Sequence, residues 1–210
     1  MDNTLLALLD ELHRHGTEHD GGKADRLERL RNVEPDTAQV LAVLVRATGA
    51  RRILEIGTSN GYSTLWLADA LRGIGGHLVS VDTDPGRSGL AAQNLNRAGL
   101  REFVELRIED AAVSLRESSD GGWDMIFLDA ERPAYAGYWP DLVRVLGPGG
   151  LLAVDNVLSH AGEVEDFRLL IRSDERFSEA IVPTGAGLLL VIESSLPGPR
   201  PPELAHSRKV

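Results

Sequence analysis

The sequence predicts an α/β fold, a doubly wound and mostly parallel sheet preceded by helices. From Arg51 onward, short apolar runs alternate with helical stretches of about ten to fifteen residues. The runs are mainly apolar, in keeping with strands covered on both faces. The 210 residues, 42% hydrophobic and 26% charged, suffice to bury a core without disulfides or a structural metal.

The elements follow in order. Leu5, Leu6, Leu8, Leu9 and Leu12 fall on one helical face, and that helix is expected to end before Gly16. Residues 16–23 read as a flexible connection and 24–32 as a charged amphipathic helix. A third helix begins near Pro35, which suits a first turn, and runs through Val40, Leu41, Leu44 and Val45. Strands are expected at Arg52–Ile56, His77–Val81, Phe103–Ile108, Trp123–Leu128 and Gly150–Val154, with helices at 61–72, 86–98, 110–118 and 134–146. A helix at about 163–173 precedes two strands near 176–182 and 187–193. The tight Gly185-Ala186-Gly187 connection makes those two an antiparallel hairpin. Residues 194–210, with four prolines and no apolar periodicity, read as a disordered tail. The expected organisation is one domain over 1–193, with residues 1–48 capping its site.

Composition narrows the chemistry. Cysteine is absent, which excludes a thiolate nucleophile, a cysteine zinc site and an iron–sulfur cluster. Acidic residues outnumber basic ones 32 to 22, for a net charge of −10. That surface disfavours nucleic acid and anionic membranes as partners. Lys23 and Lys209 are the only lysines, so no lysine chemistry is available mid-chain. The N-terminus lacks the basic charge of a signal peptide, and no apolar run approaches the ~18 residues of a membrane span. The expected location is the cytoplasm.

Ligands of open α/β sheets bind beyond the carboxyl ends of the strands. The first strand ends in Glu55-Ile56-Gly57-Thr58-Ser59-Asn60-Gly61-Tyr62-Ser63. Gly57 permits a sharp turn, and Gly61 opens a helix whose N-terminus suits a carboxylate or phosphate. Ser63 adds a hydroxyl. Asp82, 25 residues after Gly57, is placed either to accept from a ribose diol or to cap a helix, whereas Asp84 before Pro85 reads mainly as a cap. The turn lacks the middle glycine of G-x-G-x-x-G, and its acids repel a pyrophosphate while tolerating a cationic ligand. S-adenosylmethionine fits that description. Asp129, Asp155 and Asn156 end the fourth and fifth strands; if these are neighbours, three hard oxygen donors meet, suited equally to a divalent cation or to capping helices.

Arg52 to Ala68 (RILEIGTSNGYSTLWLA), with Leu128-Asp129-Ala130, Ala153 to Leu158 (AVDNVL) and Gly185-Ala186-Gly187-Leu188 in order, resembles the cation-dependent O-methyltransferases of the catechol and caffeoyl-CoA type. The resemblance covers about 33–193. It implies a Rossmann-like seven-stranded sheet with a reversed last strand, in agreement with the hairpin, and commonly a homodimer. It implies S-adenosylmethionine contacts from Glu55, Gly57, Gly61, Tyr62, Ser63 and Asp129, with Asp82 on the ribose and Asp110 near the adenine. It further implies Mg²⁺, or another divalent cation such as Ca²⁺ or Mn²⁺, on Asp129, Asp155 and Asn156. A small substrate with vicinal hydroxyls, most simply a catechol, is the expected methyl acceptor.

Two positions depart from that pattern. Arg132 stands where the resemblance implies a lysine base, and a guanidinium does not give up its proton. Arg132 either preserves charge alone or stabilises an oxyanion while a cation acidifies the hydroxyl. His160 is then the candidate proton acceptor, with an exposed loop position as the plainer reading. Glu131 replaces a bulkier residue over the adenine. Tyr135, Tyr138 and Trp139 either line the acceptor pocket or pack the core. The rival functions are O-methylation of a hydroxylated tRNA uridine, non-catalytic S-adenosylmethionine binding, and nicotinamide-dependent oxidoreduction, the last disfavoured by the glycine spacing.

Overall fold

The computed structural model describes residues 1–25 and 28–193. Two helices come first, α1 (Asn3–Gly21) and α2 (Pro35–Thr48). Then follow β1 (Arg52–Ile56), α3 (Tyr62–Arg72), β2 (His77–Asp82), α4 (Pro85–Arg97), β3 (Val104–Ile108), α5 (Ala111–Glu117) and β4 (Trp123–Leu128). The chain closes with α6 (Tyr135–Val145), β5 (Leu146–Val154), α7 (Ala161–Ser173), β6 (Phe177–Val182) and β7 (Leu188–Glu193).

The seven strands lie in the order β3-β2-β1-β4-β5-β7-β6, and β7 runs antiparallel to both of its neighbours. Helices cover both faces because alternate residues of each strand are apolar on opposite sides. Ile53, Met125, Phe127, Leu151 and Ala153 pack with Leu41 and Leu65 on one face. Leu54, Ile56, Ile126, Leu128 and Val154 pack with Tyr135 and Phe167 on the other. β2 and β3 lie to one side of β1, and β4 and β5 to the other, so the sheet has its topological switch between β1 and β4. Ile56 pairs with both Val81 and Leu128, and Leu128 pairs with Val154. The residues that follow, Gly57, Asp82, Asp129 and Asp155, therefore stand along one rim.

Three expectations need correction. The first helix does not stop before Gly16 but continues to Gly21, so most of the supposed connection over 16–23 is helical. Gly16 is buried there because its bare backbone faces Asn32; a Cβ would come within 2.5 Å of Asn32 Nδ2. No α-helix runs through the described residues 28–33 of the stretch expected as a helix over 24–32, and among the described residues two α-helices precede β1. Pro35 forces Glu34 into extended backbone (φ −63°, ψ 144°), which blocks a continuous helix into α2. The N–H groups of Leu30 and Arg31 bond instead to the Asp20 carboxylate, at 2.7 and 2.8 Å. Finally, β5 begins at Leu146 rather than Gly150, because a register irregularity opposite Trp123 and Met125 absorbs Gly147-Pro148-Gly149. The tail expected at 194–210 lies outside the described residues.

Candidate active site

A cavity of about 610 Å³ opens over the switch point of the sheet. Its floor is the β1–α3 turn, in which Gly57 adopts φ +108° and its N–H bonds to Val81 O at 2.9 Å. Gly61, at φ +83°, opens α3 from behind the wall and does not itself line the cavity. Three non-glycine residues among those described hold left-handed backbone, Arg31, Ser59 and Asn156, and all three line this cavity. Such conformations cost on the order of 1 kcal/mol or more and persist where surrounding contacts enforce them.

Glu55 requires a correction. It was expected among the cofactor contacts but is fully buried beneath the turn, where its carboxylate accepts from Ser63 Oγ, Thr64 Oγ1 and Ser80 Oγ, each at 2.6 Å. It fixes the loop rather than facing the cavity. Burial pushes its carboxyl up to about 7 against the three hydroxyl donors, from an ordinary 4.5. The folded chain thus holds a proton between those pH values that the unfolded chain releases, so stability falls as pH rises through this window. The loss is about 3 kcal/mol. Glu55→Gln is expected to flatten that fall. Urea unfolding of both proteins at acid and neutral pH checks it, and equal slopes would contradict the assignment.

The other turn residues face inward. Tyr62 and Ser63 line the cavity beside Thr58–Asn60. Burial raises the Tyr62 phenol above its usual range. At the end of β2, Asp82 lines the cavity and accepts from Ser59 N at 2.8 Å and from Asp84 N at 2.9 Å. Asp84 caps α4, accepting from Gly86 N and Arg87 N. Asp110 caps α5 by accepting from Ala112 N at 2.8 Å, and it also lines the cavity near Tyr138. Of the three α6 aromatics, Tyr138 reaches the cavity. Trp139 packs against Phe167 and Phe177, with ring centroids 5.9 and 5.0 Å apart. Tyr135 is buried, and its hydroxyl clamps Ala130 by accepting from its N–H and donating to its carbonyl, both at 2.9 Å.

Asp129, Asp155 and Asn156 meet at the rim because β4 and β5 are neighbours. The Asn156 amide donates to Asp129 Oδ1 at 3.0 Å and to Asp155 Oδ2 at 3.1 Å. Burial, with the Asp129 charge beside it, raises Asp155 to about 8; burial raises Asp129 to about 6, against the nearby cations Arg31 and Arg132. Asp155 Oδ1 is buried with no hydrogen-bond partner. Among the described residues no group of three or more His, Cys, Asp or Glu forms a metal cluster; this set reaches three donors by including an amide.

Arg132 is 4% exposed, lines the cavity, and donates from Nε to Glu163 Oε2 at 2.8 Å. His160 is half-buried at the cavity wall rather than in an exposed loop, with Nδ1 2.8 Å from Ser159 Oγ. One wall is an extended strap where a helix is expected from the sequence. Residues 29–34 cross the cavity, held by Ser59 Oγ donating to Leu30 O at 2.6 Å and by Arg87 Nη2 donating to Arg29 O at 3.0 Å. From this strap Arg31 reaches Glu131, 2.8 Å away. The Glu34-Pro35 step was the available signal, since it breaks any helix at that point.

The sequence profile of the O-methyltransferase family matches residues 5–193. A catechol O-methyltransferase from Niastella koreensis is 38% identical over 130 residues, covering 60% of this chain and 58% of that protein. One from Mycobacterium tuberculosis is 36% identical over 132 residues, covering 62% and 59%. The matches thus span less than two-thirds of those two relatives' own length. The crystal structure of the O-methyltransferase from Bacillus cereus in complex with SAH superposes with a TM-score of 0.75 at 27% identity, covering 89% of this chain and 90% of that one. Among the described residues no helix is long and apolar enough to cross a membrane. With the profile matched from the first helix to the last strand, the chain belongs to the O-methyltransferase family.

Proposed function

We propose that the chain is an S-adenosylmethionine-dependent O-methyltransferase that needs a divalent cation, Mg²⁺ in the simplest case, and methylates one hydroxyl of a catechol-like pair. The observation that carries this reading is the unpartnered, buried Asp155 Oδ1 beside Asp129 and Asn156, in the same cavity as the glycine turn. Two adjacent buried carboxylates with an oxygen left unbonded fit a hard cation. The Asn156 N–H groups now lie between the two carboxylates, and turning the amide end for end would present its oxygen instead. When bound, the cation supplies a Lewis acid that draws two adjacent hydroxyls together and acidifies them.

The chain's own residues do the rest. At the start of α3 the Tyr62 N–H already donates to Asn60 Oδ1 at 3.2 Å, and the Ser63 N–H beside it suits the carboxylate of the amino acid end. Asp82 accepts from the ribose diol, and Asp110 with Tyr138 borders the adenine. Asp129 offers a carboxylate to the ammonium. The strap over 29–34 limits water entry above these groups, so the acceptor oxygen and the methyl are held in line in a partly dry site.

Calorimetry with S-adenosylhomocysteine followed by catechol tests this reading. The nucleoside is expected to bind with or without EDTA, and catechol to bind with Mg²⁺ and not with EDTA. Catechol binding that is indifferent to EDTA would contradict the cation requirement. Nucleoside binding with no binding of any catechol would turn the search to another acceptor, such as a hydroxylated tRNA base.

A further inference from the structure

Two hollows meet at the acceptor end of the site. Beside the cavity over the sheet lies a second one of about 580 Å³, lined by Glu34, Pro35, Asp36, Gly185 and Ala186. Glu34 and Ala186 line both, so the two communicate at the end of the strap. The far wall is the β6–β7 turn, which is pinned because Ala186 O accepts from Leu158 N and Ser159 N, both at 3.0 Å. Gly185 lets that turn press onto the start of α2, since a Cβ there would lie 2.6 Å from Thr37 Oγ1 and 2.9 Å from Glu34 Cβ. The Thr37 hydroxyl against it is fully buried with no hydrogen-bond partner, so this wall keeps an unspent polar group.

The two hollows differ in charge. In the first, Arg31 is paired with Glu131 and Arg132 with Glu163, each at 2.8 Å. The second is lined by the carboxylates of Glu34 and Asp36 and, among the described residues, by no cation. Neither carboxylate has an ion-pair partner among those residues. The start of α2 adds only about half a positive charge, and Pro35 offers no N–H there. Two full negative charges outweigh it. Glu34 is also felt at the reaction rim, where its charge, after burial and the Asp129 charge, helps to push the Asp155 carboxyl up.

We propose that the second hollow takes the ring substituent of the acceptor, and that Glu34 and Asp36 select a positively charged substituent, such as an alkylammonium, over a carboxylate. The inference rests on the O-methyltransferase reading above. A catechol with its hydroxyls at Asp129, Asp155 and Asn156 has its opposite ring edge free. A substituent leaving that edge on the strap side passes Glu34 and Ala186 into the second hollow. An ammonium there meets two unpaired carboxylates, whereas a carboxylate is repelled by the same two. Both side chains are exposed, so each attraction is worth at most about five-fold in binding. Attraction of one substituent and repulsion of the other widen the span to about ten-fold or more. The substituent lies away from the reacting oxygen, so the selection falls on KM and leaves kcat nearly constant. Glu34 and Asp36 thus set specificity by acceptor charge.

The test compares aminoethyl-, ethyl- and carboxyethyl-substituted catechols with Mg²⁺, in wild type and in the double variant Glu34→Gln, Asp36→Asn. The methylene groups keep the hydroxyl acidities of the three alike, so the comparison reads substituent charge. In wild type KM is expected to rise in that order, by about ten-fold or more from first to last, with kcat constant within about two-fold. The double variant is expected to narrow the KM span to about three-fold or less. Salt at about 1 M, where the Debye length is ~3 Å, is expected to narrow it in wild type with no substitution at all. A purely structural role for the two residues would instead raise KM for all three acceptors together and leave the span intact. An intact span in the variant, an equal KM for all three acceptors in wild type, or a preference for the carboxylate would overturn the proposal while leaving methyl transfer itself standing. Transfer to none of the three, with S-adenosylhomocysteine still bound, removes the O-methyltransferase reading and this inference with it.

Discussion

Asp155→Asn is expected to lower methyl transfer roughly a thousand-fold while leaving the metal-free protein at least as stable as wild type. Loss of activity and gain of stability share one cause. In the folded chain Asp155 is 3% exposed, stands beside Asp129, and has an oxygen with no donor, an arrangement that destabilises the apoprotein. An amide of the same shape needs no proton from solution on folding near neutral pH, as the carboxyl raised to about 8 does, and it adds a donor. It also removes the anionic ligand that would hold the cation, and with it several kcal/mol of stabilisation at the reacting oxygens. Thermal unfolding in EDTA and transfer assays with Mg²⁺ check the two halves separately. A variant that loses stability along with activity would show Asp155 to be a structural residue.

Gly57→Ala is expected to have the largest effect on stability. A Cβ at this position would lie 2.0 Å from Asp129 O and 2.8 Å from Asp129 C, both backbone atoms. The backbone also holds φ +108°, which L side chains rarely adopt. Neither strain can be relieved by a rotamer change, because the β1 and β4 ends are fixed by Asp129 N donating to Ile56 O at 2.9 Å. The expected destabilisation is at least about 3 kcal/mol, with the turn displaced into the cavity. Urea unfolding would report the first and calorimetry with S-adenosylhomocysteine the second. A variant within about 1 kcal/mol of wild type would mean that β1 and β4 part more easily than their pairing indicates.

Most of the sheet was legible in the sequence because short, mainly apolar five- and six-residue runs alternate with helical stretches. Arg52–Ile56 and Trp123–Leu128 match their strands end for end. The same pattern placed Asp82, Asp129, Asp155 and Asn156 at strand ends, where the parallel pairing makes them neighbours. The strap over 29–34 was not legible, because what fixes it is non-local. The N–H groups of Leu30 and Arg31 are satisfied by Asp20, ten residues back, and its carbonyls by Ser59 and Arg87. No periodicity records such bonds. Glu55 misled for a related reason, since its three partners, Ser63, Thr64 and Ser80, are polar residues that composition assigns to a surface. Tyr138 and Trp139 are adjacent, yet one faces the cavity and the other the core. Only the angle of α6 against the sheet decides between them.

The measurement that tests the account most directly is transfer of a labelled methyl group from S-adenosylmethionine to a catechol, with Mg²⁺ and with EDTA. The account predicts labelled monomethyl ether with Mg²⁺ and none above background with EDTA. Transfer at equal rates in both would contradict the role given to Asp129, Asp155 and Asn156.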